Sequence, residues 1–389
     1  MNFDLSPDQK MLADSAAQFA KKESPVARFR KLRDDPVGWE KTVWKQMGEL
    51  GWLAILMPES LGGFGGTFVD YALVAEQLGA TLVPEPLLAS CALAATAVLD
   101  AGSAAQQEEL LAPVAAGDAT IALAYAERDA RYDAAHVATR ARKQGAGYRL
   151  DGEKVWVLEG HAADRLVVSA RTGGGVGERE GVSLFAVDPK QKGVTVTPVR
   201  TMDGHRAAVV RFDGAEVPAS ALLGHEGGAL AAIEHAIDRG AAAACAEGVG
   251  NLRASLEMTR DYLCTRKQFG VAIGSFQALQ HRLVDMFIEV ELAKSTNILA
   301  ALKVDDADPL ERAGAVSAAK AELTMSGKLV SQQAIQLHGG IGVTEEHDIG
   351  LYFKRMAVLM SLFGDEAFHL ARFSRLPAFV EGVEPLATS

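Results

Sequence analysis

The spacing of apolar residues divides the chain into three regions. Over 1–119 apolar residues such as Met11 and Phe19 recur at helical intervals, which indicates helices with one buried face. Over 120–226 apolar and polar residues alternate in short runs between turn dipeptides, which indicates antiparallel strands. Helical spacing then continues over 227–389. The pattern predicts an α+β protein with an N-terminal helical domain, a middle β domain and a C-terminal helical domain.

Capping residues indicate where two of the predicted helices begin. Ser6 and Gln9 form the sequence of a capping box at the start of the first helix. Asp308 and Pro309 begin a long alanine-rich helix that is expected to run to Leu337, where a histidine and a glycine follow.

Composition narrows the classes of function. The chain has 49% hydrophobic and 23% charged residues, as globular proteins do, and a formal net charge of −11. That charge argues against general binding to nucleic acid or to an anionic membrane surface. There is no uncharged apolar run of the length that a membrane helix needs, about 18 residues, and no signal peptide is expected. Three separated cysteines, Cys91, Cys245 and Cys264, indicate reduced, buried thiols in the cytoplasm and give no zinc spacing, so no metal site is expected.

Several residues that could bind a ligand lie close together in TRKQFGVAIGSFQALQHRLVDM, a string that joins two predicted helices. Arg266 can pair with a pyrophosphate through parallel charge-assisted hydrogen bonds, Gln268 can donate or accept beside it, and Phe269 offers an apolar face. An isolated arginine at a helix end would more often be an ordinary surface residue. The whole string, however, resembles the flavin-binding signature of the acyl-CoA dehydrogenase family, including Gln277. The resemblance implies that these residues bind FAD.

A second string, QLHGGIGVTEE, extends the resemblance. Gln336 supplies a side-chain amide, and Gly339 and Gly340 let the backbone approach a ligand closely. A helix C-terminus followed by a loop uses the same residues, but the string also matches a family motif. In the family this element, like the arginine that matches Arg266, contacts the FAD of a neighbouring subunit. The resemblance therefore implies that the protein is at least a dimer.

The middle region resembles the family less completely. Trp156 in EKVWVLEG matches a strand tryptophan that packs by the flavin ring, although such a residue is ordinary core in most proteins. Leu158 stands where the family usually has threonine, and Ala126 and Tyr132 replace the hydroxyl residues of a flavin-contacting loop. The flavin contacts of this domain therefore differ from the family pattern.

The catalytic base is also missing from its usual places. Desaturating a thioester requires a carboxylate that removes the α proton, and family members carry it at one of two positions. Those positions are Phe363 and Gly240 here. Three nearby acids are candidates for the base: Asp365, Asp238 and Glu247. The leading alternative for Asp365 is a helix N-cap, and for Asp238 it is an exposed ion pair. For Glu247 the alternative is a buried polar residue with a structural role.

The resemblance covers the full chain and is greatest for the branch that includes the small subunit of pimeloyl-CoA dehydrogenase. It implies a middle antiparallel β-barrel or sandwich and a C-terminal four-helix bundle. It also implies an FAD enzyme of fatty acid β-oxidation that converts an acyl- or dicarboxylyl-CoA into a trans-2-enoyl-CoA and passes electrons to an electron-transferring flavoprotein. The assembly would be a homodimer, a homotetramer or a heteromer with a larger homologous subunit. Two alternatives stay open: a catalytically silent subunit of such a heteromer, and a flavin oxidase or monooxygenase on the same fold.

Overall fold

The computed structural model describes residues 4–377, so the extreme ends of the first and last predicted domains lie outside the described residues. The N-terminal region is helical, and its first helix begins with the predicted capping box, in which the Ser6 hydroxyl accepts from the Gln9 amide at 3.1 Å. A π-helical segment, Leu87–Ala94, precedes the fifth helix. The α-helices are α1 (Pro7–Glu23), α2 (Val26–Leu32), α3 (Lys41–Glu49), α4 (Phe68–Gly79), α5 (Ala95–Ala101) and α6 (Ala104–Ala115).

The middle region folds into one sheet with its own apolar core around Phe185 and Phe212. Its strands are β1 (Ile121–Ala124), β2 (Arg140–Gln144), β3 (Gly147–Leu158), β4 (Arg165–Arg171), β5 (Val182–Val187), β6 (Val194–Arg200), β7 (Arg206–Pro218) and β8 (Leu222–Leu223). The strand order is β6-β7-β3-β2-β4-β5-β8, and β1 pairs with β4.

The sheet departs from the purely antiparallel pattern predicted by alternation. Strand β1 runs parallel to β4, and one residue pair, Arg140 with Arg171, joins β2 to β4 in parallel. The β2–β3 hairpin separates β1 from β4 along the chain, so β1 can lie beside β4 only after a crossover. Alternation of apolar residues does not reveal strand direction.

The C-terminal region is helical and begins with the longest helix. Its helices are α7 (Leu230–Thr265), α8 (Gln277–Lys303), α9 (Pro309–His338), α10 (Ile349–Ser361) and α11 (Glu366–Ser374). Between α7 and α8 lies a two-stranded hairpin, β9 (Lys267–Gln268) and β10 (Val271–Ala272). The Asp308 side chain caps α9 as predicted, accepting from the Leu310 amide at 2.9 Å.

Helix α7 also packs against α4, so the N-terminal and C-terminal helices share one core. Glycine makes this contact close, because a Cβ on Gly250 would lie 1.9 Å from the Glu76 carbonyl oxygen. Two cysteines, Cys91 and Cys245, are buried in this helical core, as predicted. The same prediction is wrong for Cys264, which is exposed on the last turn of α7.

Candidate active site

A groove lies where the β9–β10 hairpin faces the end of α9. The fold brings together five of the residues predicted to bind the cofactor, although the two groups are far apart in sequence. They are Arg266 and Gln268 from the hairpin, and Gln336, Gly339 and Gly340 from the end of α9. The predicted residues Phe269 and Gln277 adjoin this groove in the chain, on the hairpin turn and at the first position of α8.

The groove offers hydrogen-bond donors and open space. Within residues 4–377 the Arg266 guanidinium is not engaged by any hydrogen bond or ion pair, so its donors are available to an anion. A Cβ built on Gly339 or Gly340 would meet nothing within 4 Å, which leaves the backbone open to a ligand. Phe269 adopts a left-handed backbone with φ 54°, and its ring is 91% exposed. These features fit a bound dinucleotide covered in part by another protein surface.

Trp156 lies at an irregularity of the β3–β7 pairing. The register shifts between Lys154 and Val157, and Trp156 has φ 57°, which is unusual for a bulky residue. A bulge of this kind redirects a side chain out of the regular alternation, and the indole is 42% exposed. The strand therefore presents Trp156 at the surface rather than in the core of the sheet.

A second concavity lies between the helical core and the sheet, and we call it the acyl cavity because the resemblance implies an acyl ligand. It has a volume of about 60 Å³, which is room for a few water-sized groups, since one water needs roughly 10–15 Å³. Its apolar lining comes mainly from α4, α10 and the segment before α5. Its polar lining comprises Glu85, Glu159, Thr201, His205, Arg206, Glu247 and Arg355. Leu158 and Glu159, which follow Trp156 closely in the chain, also line this cavity.

The three regions match three family models in the same order. The N-terminal domain of acyl-CoA dehydrogenase matches residues 6–118, the middle domain matches 122–215, and the C-terminal domain matches 227–375. The chain belongs to the acyl-CoA dehydrogenase family.

Relatives and solved structures agree with the family. A probable acyl-CoA dehydrogenase of Bacillus subtilis, YngJ, is 32% identical over 354 residues, which cover 90% of this chain and 92% of the relative. The butyryl-CoA dehydrogenase of Megasphaera elsdenii is 26% identical with a TM-score of 0.89, covering 96% of this chain and 99% of that one. A chain of the ChsE4–ChsE5 complex of Mycobacterium tuberculosis is 27% identical with a TM-score of 0.87, covering 99% and 100%.

Acyl-CoA dehydrogenases are oxidoreductases that bind FAD, and the groove described above fits the charged part of that cofactor. Arg266 would meet the pyrophosphate, and the bare backbone of Gly339 and Gly340 would allow close approach. When bound, FAD supplies a hydride acceptor. Among residues 4–377 no helix is long and apolar enough to cross a membrane.

The two residues that the resemblance places at the base positions, Phe363 and Gly240, lie against each other in this acyl-CoA dehydrogenase. Phe363 is buried with φ 60°, and a Cβ on Gly240 would lie 2.9 Å from its ring carbon Cζ. Two contacts hold the loop that carries Phe363. His369 Nε2 lies 3.2 Å from the Phe363 carbonyl oxygen, and Lys320 Nζ donates to the Leu359 carbonyl oxygen at 2.7 Å. One aromatic ring therefore fills the space between both positions.

Two of the three candidate acids are held by protein contacts away from the acyl cavity. The Asp365 carboxylate accepts from the Phe368 amide at 2.9 Å and so caps α11. Asp238 is buried and is bound by Arg372 at 2.6 and 3.0 Å and by Arg312 at 3.1 Å. It is not the exposed ion pair that its sequence context suggested. Tyr132, at a replaced flavin-loop position, packs on the Phe368 ring with centroids 5.2 Å apart.

Glu247 is the candidate that lines the acyl cavity. Arg355 holds both of its carboxylate oxygens, at 2.5 and 2.8 Å, and donates to Asp203 at 2.8 Å. Although burial lowers the pKa of Arg355, the two carboxylates raise it well above the ordinary value. Glu247 is thus an ion-paired carboxylate that shares the Arg355 guanidinium with Asp203.

Glu159 is a cavity residue that sequence reasoning missed. Burial raises the pKa of its carboxyl to about 8, against the opposing effects of the Arg206 backbone amide and the Arg355 charge. A glutamate at the end of an apolar strand run, directly after Leu158, was the signal that could have drawn attention to it.

Proposed function

We propose that this chain takes part in the FAD-dependent dehydrogenation of an acyl- or dicarboxylyl-CoA to the trans-2-enoyl-CoA, in the cytoplasm. The reaction removes a proton from Cα and a hydride from Cβ of the thioester. Bound FAD would supply the hydride acceptor, and an electron-transferring flavoprotein would be the acceptor of the two electrons. The observation that carries the proposal is the strand end at Trp156, because the residues that follow it line the acyl cavity. A flavin ring beside the indole and an acyl group in the cavity would therefore be neighbours.

The contribution of this chain is to bind and orient. The proposed contacts to FAD are Arg266, Gln268, Phe269, Gln277, Gln336, Gly339, Gly340 and Trp156. The cavity would receive the acyl group and exclude water from it, since its wall contains apolar side chains such as Leu87 and Leu362. Glu247 is the proposed base, and it must separate from Arg355 to accept a proton.

The packing of Phe363 on Gly240 favours a second candidate function. A subunit whose own base positions are filled by a ring could complete the flavin site of a heteromer while the larger homologous subunit performs the proton abstraction. Exposed apolar side chains along α8 are suited to a contact between protomers. They include Val284, Phe287, Ile288, Leu292, Leu299 and Leu302. A homodimer or homotetramer would use the same surface.

Anaerobic titration of the FAD-loaded protein distinguishes these functions. Straight-chain acyl-CoAs and pimeloyl-CoA would be added to the chain alone and to the chain with a larger homologous subunit encoded by a neighbouring gene. Flavin bleaching by the chain alone is the expected result for an independent dehydrogenase, and bleaching only with the partner supports shared catalysis. Bleaching in neither case argues against both. Oxygen consumption in air during turnover would instead support a flavin oxidase or monooxygenase.

A further inference from the structure

The acyl cavity has an apolar side and a polar side. Leu78, Val83 and Leu87 from the N-terminal region form part of the apolar side. On the polar side, Glu159 and Arg355 lie among side chains from the sheet, α7 and α10. A cavity for a plain hydrocarbon chain needs no such polar groups, because a polar side chain facing a hydrocarbon loses its partners in water.

The terminal nitrogens of both guanidinium groups on the polar side already have acceptors. Three guanidinium nitrogens of Arg355 donate to carboxylates of Glu247 and Asp203. Arg206 donates through its two terminal nitrogens to backbone carbonyl oxygens, at 2.6 Å to Gly204 and 2.6 Å to Asp35 among others. Two carboxylates share one guanidinium in the first group, so its net charge is already negative. A terminal carboxylate on the acyl group would add another negative charge beside this group and would meet no free terminal guanidinium nitrogen.

Glu159 is different from the other acids of the wall. Within residues 4–377 it makes no ion pair with a lysine or arginine, and its nearest basic atom is His161 Nδ1 at 3.9 Å. Burial lowers the pKa of His161, so that ring is a poor source of positive charge. With a carboxyl pKa near 8, Glu159 is mostly protonated at neutral pH. A protonated carboxyl can both donate and accept a hydrogen bond.

We propose that the acyl cavity selects a neutral acyl group that carries a hydrogen-bonding substituent, such as a hydroxyl or a carbonyl, and that Glu159 is the residue that pairs with it. This inference rests on the proposed function, because it concerns the acyl group of the same thioester. It ranks a neutral polar acyl group above both a plain hydrocarbon and a dicarboxylyl group of equal length.

Binding measurements on matched thioesters test the ranking without requiring turnover. Calorimetric titration of the FAD-loaded protein would compare butyryl-, 4-hydroxybutyryl- and succinyl-CoA, and then hexanoyl-, 6-hydroxyhexanoyl- and adipoyl-CoA. The hydroxylated thioester is expected to bind about tenfold or more tightly than its partners in at least one series, which is the scale of one satisfied hydrogen bond. Equal or tighter binding of the hydrocarbons, or of the carboxylates, in both series would overturn the proposal, as would no binding of any thioester.

Variants assign the preference to Glu159. Glu159→Leu should abolish the preference for the hydroxylated thioester, whereas Glu159→Gln, which keeps a neutral donor and acceptor, should retain most of it. Glu153→Leu is the control, because Glu153 lies on β3, the strand that leads to Glu159, with its side chain exposed and outside the cavity. Retention of the preference by a folded Glu159→Leu protein, or its loss in Glu159→Gln, would contradict the assignment. Flavin bleaching, followed separately, reports on the proposed function and not on this ranking.

Discussion

The Phe363 ring packs on the bare backbone of Gly240, so closely that a Cβ at Gly240 would be 2.9 Å from Cζ of the ring. The two residues are far apart in sequence, yet both were predicted from the family resemblance to stand at positions of the base. A carboxylate at either position would reach much the same space. The ring thus excludes a base from both positions at once.

Phe363→Glu should supply the missing carboxylate. We expect the rate of anaerobic flavin reduction by the best-bound acyl-CoA to increase about a hundredfold or more, which is the ordinary contribution of a positioned base. Stopped-flow absorbance of the FAD-loaded protein measures this rate. Phe363→Gln is the matched control, since it has the same size without a titratable group, and equal rates in the two variants would refute the prediction.

Arg266→Gln should weaken FAD binding. The guanidinium has no partner among the described residues, so its donors are free for the pyrophosphate, and losing a charged hydrogen bond costs about 1.5–3 kcal/mol, or roughly ten- to a hundredfold in affinity. Flavin fluorescence during titration of the apoprotein measures the affinity. Arg260→Gln near the end of α7, where the arginine is exposed and paired with Asp261 at 2.8 Å, should change little. A similar effect of both substitutions would count against the assigned role.

Arg355→Met should destabilise the fold. Its guanidinium pairs with Glu247 and Asp203, and removing one partner of a buried ion pair leaves uncompensated charge at a cost of about 3–5 kcal/mol. Urea denaturation followed by circular dichroism measures the free energy of unfolding. Arg179→Met removes an exposed ion pair with Glu234 and should cost less than about 1 kcal/mol. A loss no larger than that of the control would mean that the buried network contributes little.

His235 should make stability depend on pH. Burial lowers its pKa, but Asp100, 2.6 Å from Nδ1, and Asp305, 3.4 Å from Nε2, outweigh burial and raise it above 6.5. The contribution is therefore fully present below the unfolded value of 6.5 and is lost as pH rises through the folded pKa.

Urea denaturation between pH 5.5 and 8.5 tests the His235 contribution. His235→Gln should flatten the decline of the unfolding free energy with rising pH in that window, relative to the unchanged chain. Parallel curves for the two proteins would show that the raised pKa has no consequence for folding.

Local features of the sequence predicted much of the fold and of the cofactor groove. The Ser6 cap, the Asp308 cap and the residues around Arg266 act over a few positions, so a short string is enough to identify them. Alternation of apolar and polar residues predicted the middle sheet but not the parallel pairing of β1 with β4. The relative direction of those two strands depends on the path of the chain through the β2–β3 hairpin between them.

The acyl cavity was the part that sequence could not supply. Burial raises the pKa of the Glu159 carboxyl, and Arg206 and Arg355, which oppose that shift, lie on other elements of the fold. Likewise, the sequence could identify Phe363 and Gly240 as departures from the family, but not that the two residues touch. Contacts across the core depend on packing, and no local pattern encodes them.

The joint core of α4 and α7 has a consequence for biosynthesis. The sheet is inserted between two halves of a single helical body, so the early helices emerge from the ribosome long before α7 exists to cover them. Until then their apolar faces lack a native cover and depend on chaperones or on transient collapse. A polypeptide cut after the sheet should therefore be recovered as aggregate or degraded, even though helices α1 and α6 carry capping boxes.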